Sequence, residues 1–276
     1  NFFVIPAGIL FDANVTFVGW WWWNQVPVLL GNFVGGVCLT ALPLVLCYPV
    51  PADAPAPTPP PPTFDTQLPA AIVKAATDAG AAKVKLPIFQ MVLRGSLSGL
   101  ILGIATTLAM TIWTQPFGKE FPFLGAVAFP VGFCMLVLLG LELVTGNFAV
   151  IPMAVYAGKA TWTGMATNFL FVTLGNLLGA LVYAVLFWAC YSNYGDSLEH
   201  KMGLKAAAIA TAKTVAYEND ASIGWLTAFC KAICCNWMVT MGVIMTFTSK
   251  STIGRIATMW MPIMVFFAHG YEHAIV

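Results

Sequence analysis

The chain alternates between long apolar runs and short polar stretches, and the lengths of the runs suggest its elements. Val26 to Tyr48, Met91 to Trp113, Gly164 to Tyr191, Gly224 to Thr248 and Ile256 to Val276 each match or exceed the ~20 residues that a helix needs to cross a bilayer. Phe121 to Leu141 is a further run and continues towards Tyr156. Asn1 to Leu10 is apolar but too short to span. It lacks the basic leader of a signal peptide and ends in a polar turn at Asp12 and Asn14. The tryptophans Trp20 to Trp23 suit a membrane–water interface. Residues 49–62, rich in Pro and Ala, predict an extended, disordered linker. From Thr63 to Pro87, apolar Leu68, Ile72, Ala75 and Ala79 are interspersed with Lys74, Asp78, Lys83 and Lys85, which predicts a helix lying along the membrane surface.

A repeat runs through this pattern. Leu30-Gly31-Asn32-Phe33-Val34-Gly35 matches Leu174-Gly175-Asn176-Leu177-Leu178-Gly179. Glu142 stands 34 residues before Asn176. If Val276 is read on into Asn1, Glu272 stands 36 residues before Asn32, and each glutamate is followed five residues on by an asparagine, Asn147 or Asn1. The last apolar run stops without a polar flank and the first begins as abruptly. Joining them makes one interrupted span from Ile256 to about Leu10, so the chain reads as a circular rotation of a six-span protein whose original ends lie in the Pro-rich stretch. Two repeats of three spans must enter the membrane from opposite sides, as in inverted-repeat transporters and channels.

Composition sharpens the class. Of 276 residues, 59% are hydrophobic and 8% charged, against about 25% charged in a soluble domain, so the chain reads as an integral, multi-pass membrane protein. A net charge of +1 gives no electrostatic case for nucleic acid. The seven cysteines lie in or beside apolar runs and show no metal-ligand spacing, so they read as small buried hydrophobes. In the joined order one side carries Lys74, Lys83, Lys85, Arg94, Lys159, Lys250 and Arg255, and the other Lys119, Lys201, Lys205 and Lys213. The positive-inside rule therefore assigns the surface helix and the Pro-rich segment to the cytoplasm.

Candidate chemistry concentrates where ionisable groups interrupt apolar runs. Such groups cost roughly 2.5–3.5 kcal/mol at a helix centre and persist where they line a polar path or find partners. One place is Leu141-Glu142-Leu143-Val144-Thr145-Gly146-Asn147; the other is His269-Gly270-Tyr271-Glu272-His273. The small and polar residues around Thr145, and Gly270 with Pro6 across the join, let the helices break. Free N–H groups at such breaks attract anions. A free imidazole titrates near neutrality, so His273 can offer a proton or a hydrogen bond to a weak acid. His269 lies one turn earlier. Glu142 and Glu272 read as organisers of loose backbone and neighbouring groups, because a bare carboxylate repels an anion. The glycines Gly95, Gly99 and Gly103, Gly31 and Gly35, and Gly175 and Gly179 mark close helix packing. Two other readings stay open: a neutral-solute channel of aquaporin type, and a zinc peptidase carrying His269-x-x-Glu272-His273, for which no third ligand stands out. No cofactor and no metal site are expected.

At these residues the chain resembles the formate/nitrite transporter family. Leu141 to Asn147 resembles the family's second-helix loop, Cys235-Asn236-Trp237 its fourth-helix signature, and Gly270-Tyr271-Glu272-His273 continued by Asn1 its fifth-helix signature. Leu30-Gly31-Asn32 and Leu174-Gly175-Asn176 resemble the ends of its halves, and Thr63 to Pro87 its N-terminal surface helix. The resemblance implies an all-α, aquaporin-like protomer of six transmembrane helices in an inverted repeat, with the second and fifth broken, assembled as a homopentamer. Residues 1–48 then hold the second part of helix 5 and helix 6, and 49–62 the linker. Residues 63–90 hold the surface helix, 91–191 helices 1 to 3, 192–223 an extramembrane loop, and 224–276 helix 4 and the first part of helix 5. The resemblance further implies a channel or transporter, not an enzyme, passing small monovalent anions such as formate, nitrite, hydrosulfide, acetate or lactate, often with a proton. By position His273 matches the central histidine, Thr145 the loop threonine, Asn236 the asparagine beside the pore and Lys213 the vestibule lysine. Phe129, Phe133, Leu143, Val239 and Phe266 match constriction positions. Thr214-Val215-Ala216-Tyr217 departs from the His-containing run of many members, and His269 stands where a small residue is usual.

Overall fold

The computed structural model describes residues 1–49 and 65–276, and every regular element among them is helical. The expected linker therefore lies, apart from Pro49, outside the described residues. In chain order the helices are α1 (Val4–Leu10), α2 (Phe17–Trp20), α3 (Val26–Gly36), α4 (Leu42–Cys47), α5 (Pro69–Lys83) and α6 (Ile88–Trp113). The short α7 (Pro116–Glu120) precedes α8 (Phe123–Ala128), α9 (Pro130–Leu138), α10 (Val144–Tyr156) and α11 (Trp162–Ser192). Finally come α12 (Lys201–Lys213), α13 (Val215–Asn219), α14 (Ala221–Met245) and α15 (Thr252–Ala268). Among the described residues, four helical stretches are long and apolar enough to cross a membrane: Phe17–Cys47, Ile88–Trp113, Trp162–Ser192 and Ala221–Thr248. Shorter apolar helices cover Phe123–Leu138, Val144–Tyr156 and Thr252–Ala268.

The first of the four starts earlier than the Val26 expected from hydropathy. Thr16 caps it by accepting from the Gly19 N–H at 2.9 Å, so the four tryptophans lie within the helix, with Trp20 buried and Trp22 facing outward. Its wider turns, Trp21–Gln25 and Val37–Ala41, fall just before Pro27 and Pro43. A proline ring clashes with the carbonyl four residues back and offers no N–H, and widening the preceding turn relieves both faults.

Bilayer lipid is as apolar as leucine, so close backbone approach takes over from hydrophobic drive in holding such helices together. α6 crosses α11 where Gly95 and Gly99 face Gly175, Asn176 and Gly179, and a Cβ at Gly99 would overlap the Asn176 carbonyl. α3 crosses α14 in the same manner, with Gly31 and Gly35 against the carbonyls of Phe229 and Ile233.

Two regions differ from expectation. Residues 192–223, expected as a loop, contain α12 and α13. α12 buries Met202, Gly203, Ala206 and Ala210, and α1 packs there with Gly8 against Ala206 and Ala210. Its run of alanines favours helix, and the charges around it masked that signal. The expected surface helix is α5, shorter at both ends than 63–90. Its apolar face is not left open: Val73, Ala76, Thr77 and Gly80 are buried, with Gly80 against the Val150 backbone of α10.

Two breaks organise the middle of the molecule. α9 ends at Leu138, Gly140 takes φ +65°, and α10 begins at Val144. α15 ends at Ala268, Gly270 takes φ +62°, and the chain runs in extended and turn conformations to Val276. Asn1 and Phe2 then lie beside that segment, with the Phe2 N–H donating to the Ala274 carbonyl at 3.0 Å, and α1 leads away. In space α1 follows α15 as α10 follows α9.

Candidate functional site

Each break is held by the same set of bonds. Asn176 accepts from the Val144 N–H at 3.0 Å and donates to the Glu142 carbonyl at 2.9 Å. Asn32 accepts from the Ala274 N–H at 2.9 Å and donates to the Glu272 carbonyl at 2.9 Å. These two asparagines satisfy backbone groups that helices leave open where they stop, which lipid cannot do. The repeated Leu-Gly-Asn pattern thus acts as a clamp on the breaks.

The two glutamates are buried and fully partnered. Glu142 accepts from Lys83 Nζ at 2.7 Å and from Asn147 Nδ2 at 2.8 Å. Glu272 accepts from Lys213 Nζ at 2.8 Å, Asn1 Nδ2 at 2.6 Å and Tyr217 at 2.8 Å. Each lysine ends its helix, α5 or α12, and stands 59 residues before its glutamate. Outer asparagines complete each cluster. Asn168 accepts from Asn147 at 2.8 Å and donates to the Lys83 carbonyl at 3.2 Å. Asn24 accepts from Asn1 at 2.7 Å and donates to the Lys213 carbonyl at 2.8 Å. Burying a carboxylate costs several kcal/mol, which the ion pair and added N–H donors offset.

The breaks meet at His273. Its Nε2 lies 3.0 Å from Thr145 Oγ1, which comes from the opposite break. The backbone N–H groups of Ile275 and Val276 both point to Nδ1 at 3.3 Å. Two donors make Nδ1 an acceptor, so the neutral ring carries its proton on Nε2 and donates it to Thr145. Phe266 stacks on the ring with centroids 5.5 Å apart. Asn236 donates to the Thr145 carbonyl at 3.1 Å and so steadies the threonine.

Cavities approach from two sides. One, of about 300 Å³, is walled by His273, Phe266, Phe267, Lys213, Tyr217 and Lys231 among others. The second, of about 210 Å³, is walled by Phe133, Leu143, Asn147, Lys83 and Arg255 among others. Each sets apolar walls beside one cation outside the two Lys–Glu pairs, Lys231 in the first and Arg255 in the second; such a charge attracts anions, and the apolar walls oppose their passage with water attached.

The profile of the formate/nitrite transporter family matches residues 1–46 and 70–276. The chain belongs to that family. It is 33% identical over 213 residues to an uncharacterized transporter, YrhG, of Bacillus subtilis, covering 75% of each chain. It is 30% identical over 210 residues to the formate channel BtFdhC of Bacillus thuringiensis, covering 75% of this chain and 77% of the relative. It is also 30% identical over 219 residues to the formate channel FocA of Escherichia coli, covering 77% of this chain and 72% of the relative. Like its family, the protein is an integral membrane channel or transporter and not an enzyme.

Within this formate/nitrite transporter the constriction residues expected from the resemblance separate. Phe266 lines the first cavity, and Phe133 and Leu143 line the second. Phe129 and Val239 are buried and line neither. Phe129 instead backs Phe267, its ring stacked at 3.9 Å, and Phe267 faces the first cavity. His269 is exposed, bonded to the Val265 carbonyl at 2.8 Å and stacked on Tyr271. Glu272 is held by Lys213, and no group of three His, Cys, Asp or Glu side chains able to hold a metal occurs among the described residues, so the zinc-peptidase pattern does not assemble there.

Sequence reasoning missed Lys83, Asn24, Asn168, Tyr217, Phe267 and Lys231. Two had a signal: Asn24 and Asn168 each stand eight residues before a repeated asparagine. Lys231 had another, as a lone cation in the apolar run Gly224 to Thr248. Lys83 had none beyond its place in the polar pattern of α5.

Proposed function

We propose that the chain passes small monovalent anions of the formate and nitrite class across a membrane, linked to a proton through His273. The observation that carries this reading is the Thr145–His273 contact, where the two breaks meet at the edge of a cationic cavity. Relatives named as formate channels cover about three quarters of the chain and support the same substrate class. In this reading the protomer has six spans in an aquaporin-like inverted repeat. The four long helices supply four of them; α8–α9 with α10, and α15 with α1, supply two broken ones. The paired bonds at each break support it, and protomers assemble as a homopentamer with one pore each. The side carrying α5 faces the cytoplasm by its excess of Lys and Arg.

An anion entering the first cavity gains from cationic charge not cancelled by Glu272 and meets the apolar step around Phe266, where dehydration is costly. A hydrogen bond from His273 Nε2, turned from Thr145 to the anion, lowers that cost and places a proton donor on the path. The test is flux into proteoliposomes of formate, nitrite, lactate and hydrosulfide at two pH values. Anion uptake that rises with acidity supports the reading. Swelling in glycerol with no anion flux would replace it with a neutral-solute channel.

A further inference from the structure

We propose that Lys231, and not Lys213, is the charge that binds the anion in the first cavity. This rests on the anion-transport reading and assigns a recognition site within it.

Lys213 and Lys231 both line that cavity, but their charges differ in availability. Lys213 is bound to Glu272 at 2.8 Å, so the pair presents little net charge. Lys231 has no carboxylate within 4 Å among the described residues. Its Nζ donates to the Tyr217 hydroxyl at 3.3 Å and stands 5.4 Å from that ring's centroid. An ammonium has three donors, and neither a phenol oxygen nor a ring face cancels its charge. Tyr217 in turn donates to Glu272 at 2.8 Å, which fixes the phenol and leaves Lys231 held at one point.

Depth argues the same way. Lys231 lies ten residues after the start of α14, about 15 Å along the helix. An unpaired lysine that deep in an apolar span is costly unless it faces water or an anion.

The opposite half supplies a comparison. Asn176 donates to the Gly95 carbonyl at 2.9 Å and Asn32 to the Ala232 carbonyl at 2.8 Å, so the residues before these, Arg94 and Lys231, occupy corresponding places. Arg94 is committed to protein acceptors, the Gln90 side chain at 2.9 Å and the Gly140 carbonyl at 3.5 Å. Lys231 keeps donors for a ligand. A monovalent oxyanion between Lys231 and His273 would have an ammonium on one side and an imidazole N–H ahead of it.

The experiment measures formate uptake by proteoliposomes carrying wild type, Lys231→Gln, Lys231→Arg or Lys213→Met, with thermal unfolding in detergent alongside. Lys231→Gln is expected to raise the half-saturating formate concentration about 10-fold, the lower end of what a cleft lined by one sign of charge supplies, with the melting temperature unchanged. Lys231→Arg should stay near wild type. Lys213→Met should lower the melting temperature, because it strands Glu272. Should Lys231→Gln fold poorly, the wild type and Lys231→Arg decide by salt: half-saturation that rises with ionic strength supports a charge site. Unchanged half-saturation in Lys231→Gln, or salt independence, overturns the assignment while formate transport stands. Absence of any anion uptake by wild type overturns the transport reading itself, and this proposal with it.

Discussion

Thr145 Oγ1 lies 3.0 Å from His273 Nε2, although 128 residues separate them in the chain. The contact joins two helix breaks, and a proton on Nε2 is presented to the threonine only while Nδ1 is held by backbone N–H groups. His273→Asn keeps a polar side chain but cannot titrate. It is expected to remove the acid dependence of formate uptake; an unchanged pH profile would eliminate His273 as the proton-linked group. Thr145→Val removes the hydrogen-bond partner at similar volume. A neutral hydrogen bond contributes about 0.5–1.5 kcal/mol, so flux should fall by about 2- to 10-fold and the melting temperature should drop only modestly.

Lys83 and Glu142 form the first of two matching ion pairs, at 2.7 Å, with Glu142 2% exposed. Removing one member of a buried pair strands the other, at about 3–5 kcal/mol. Glu142→Gln should therefore destabilise strongly, measured by thermal unfolding in detergent. Adding Lys83→Met to it should recover part of the loss. If the double variant is as unstable as the sum of the single ones, the pair is not coupled.

Gly140 and Gly270 take φ +65° and +62°, and a Cβ at either would meet no atom within 4 Å. The cost of Gly140→Ala or Gly270→Ala is then conformational alone, about 1–2 kcal/mol, and similar for both. Gly99→Ala, where a Cβ would overlap the Asn176 carbonyl, should cost more. A denaturation series in one detergent ranks all three; equal losses would mean that the α6–α11 crossing relaxes freely.

Asp65 ties the segment before α5 to the 249–251 turn. The Ser249 hydroxyl and the Lys250 N–H hold its carboxyl below the usual carboxylate range, with Ser251 adding to them. A lowered folded-state pKa means that this tie is fully present above the unfolded value, near ~3.9, and is lost as pH falls through the folded one. The Gln67 amide donates to the Thr248 carbonyl at 3.0 Å, and its protection relative to its intrinsic exchange rate should stay high at neutral pH and fall only below about pH 4. Asp65→Asn should lower that protection at pH 7, and equal protection in the variant and wild type would discount the tie.

The apolar runs were legible from sequence because hydrocarbon imposes one rule on every residue it touches. The breaks at Glu142 and Glu272 were legible for the same reason, since a carboxylate in such a run must have a purpose. The repeated Leu-Gly-Asn pattern pointed to two like halves. Sequence also brought His273 and Thr145 into one proposal, though through resemblance to a family and not through any local signal.

What the tertiary structure alone decided is who partners whom. Lys83 reads as one more solvated charge on α5, and only the packing of that helix against α10 delivers its ammonium to Glu142. Phe129 and Phe267 are equally apolar in the sequence, yet helix rotation buries one behind the other. Lys213 and Lys231 carry the same charge; their difference lies in a carboxylate that the fold brings to one and not to the other. Periodicity encodes how a residue sits on its own helix, whereas a partner dozens of residues away is fixed by how helices cross, and here glycines and buried asparagines set those crossings.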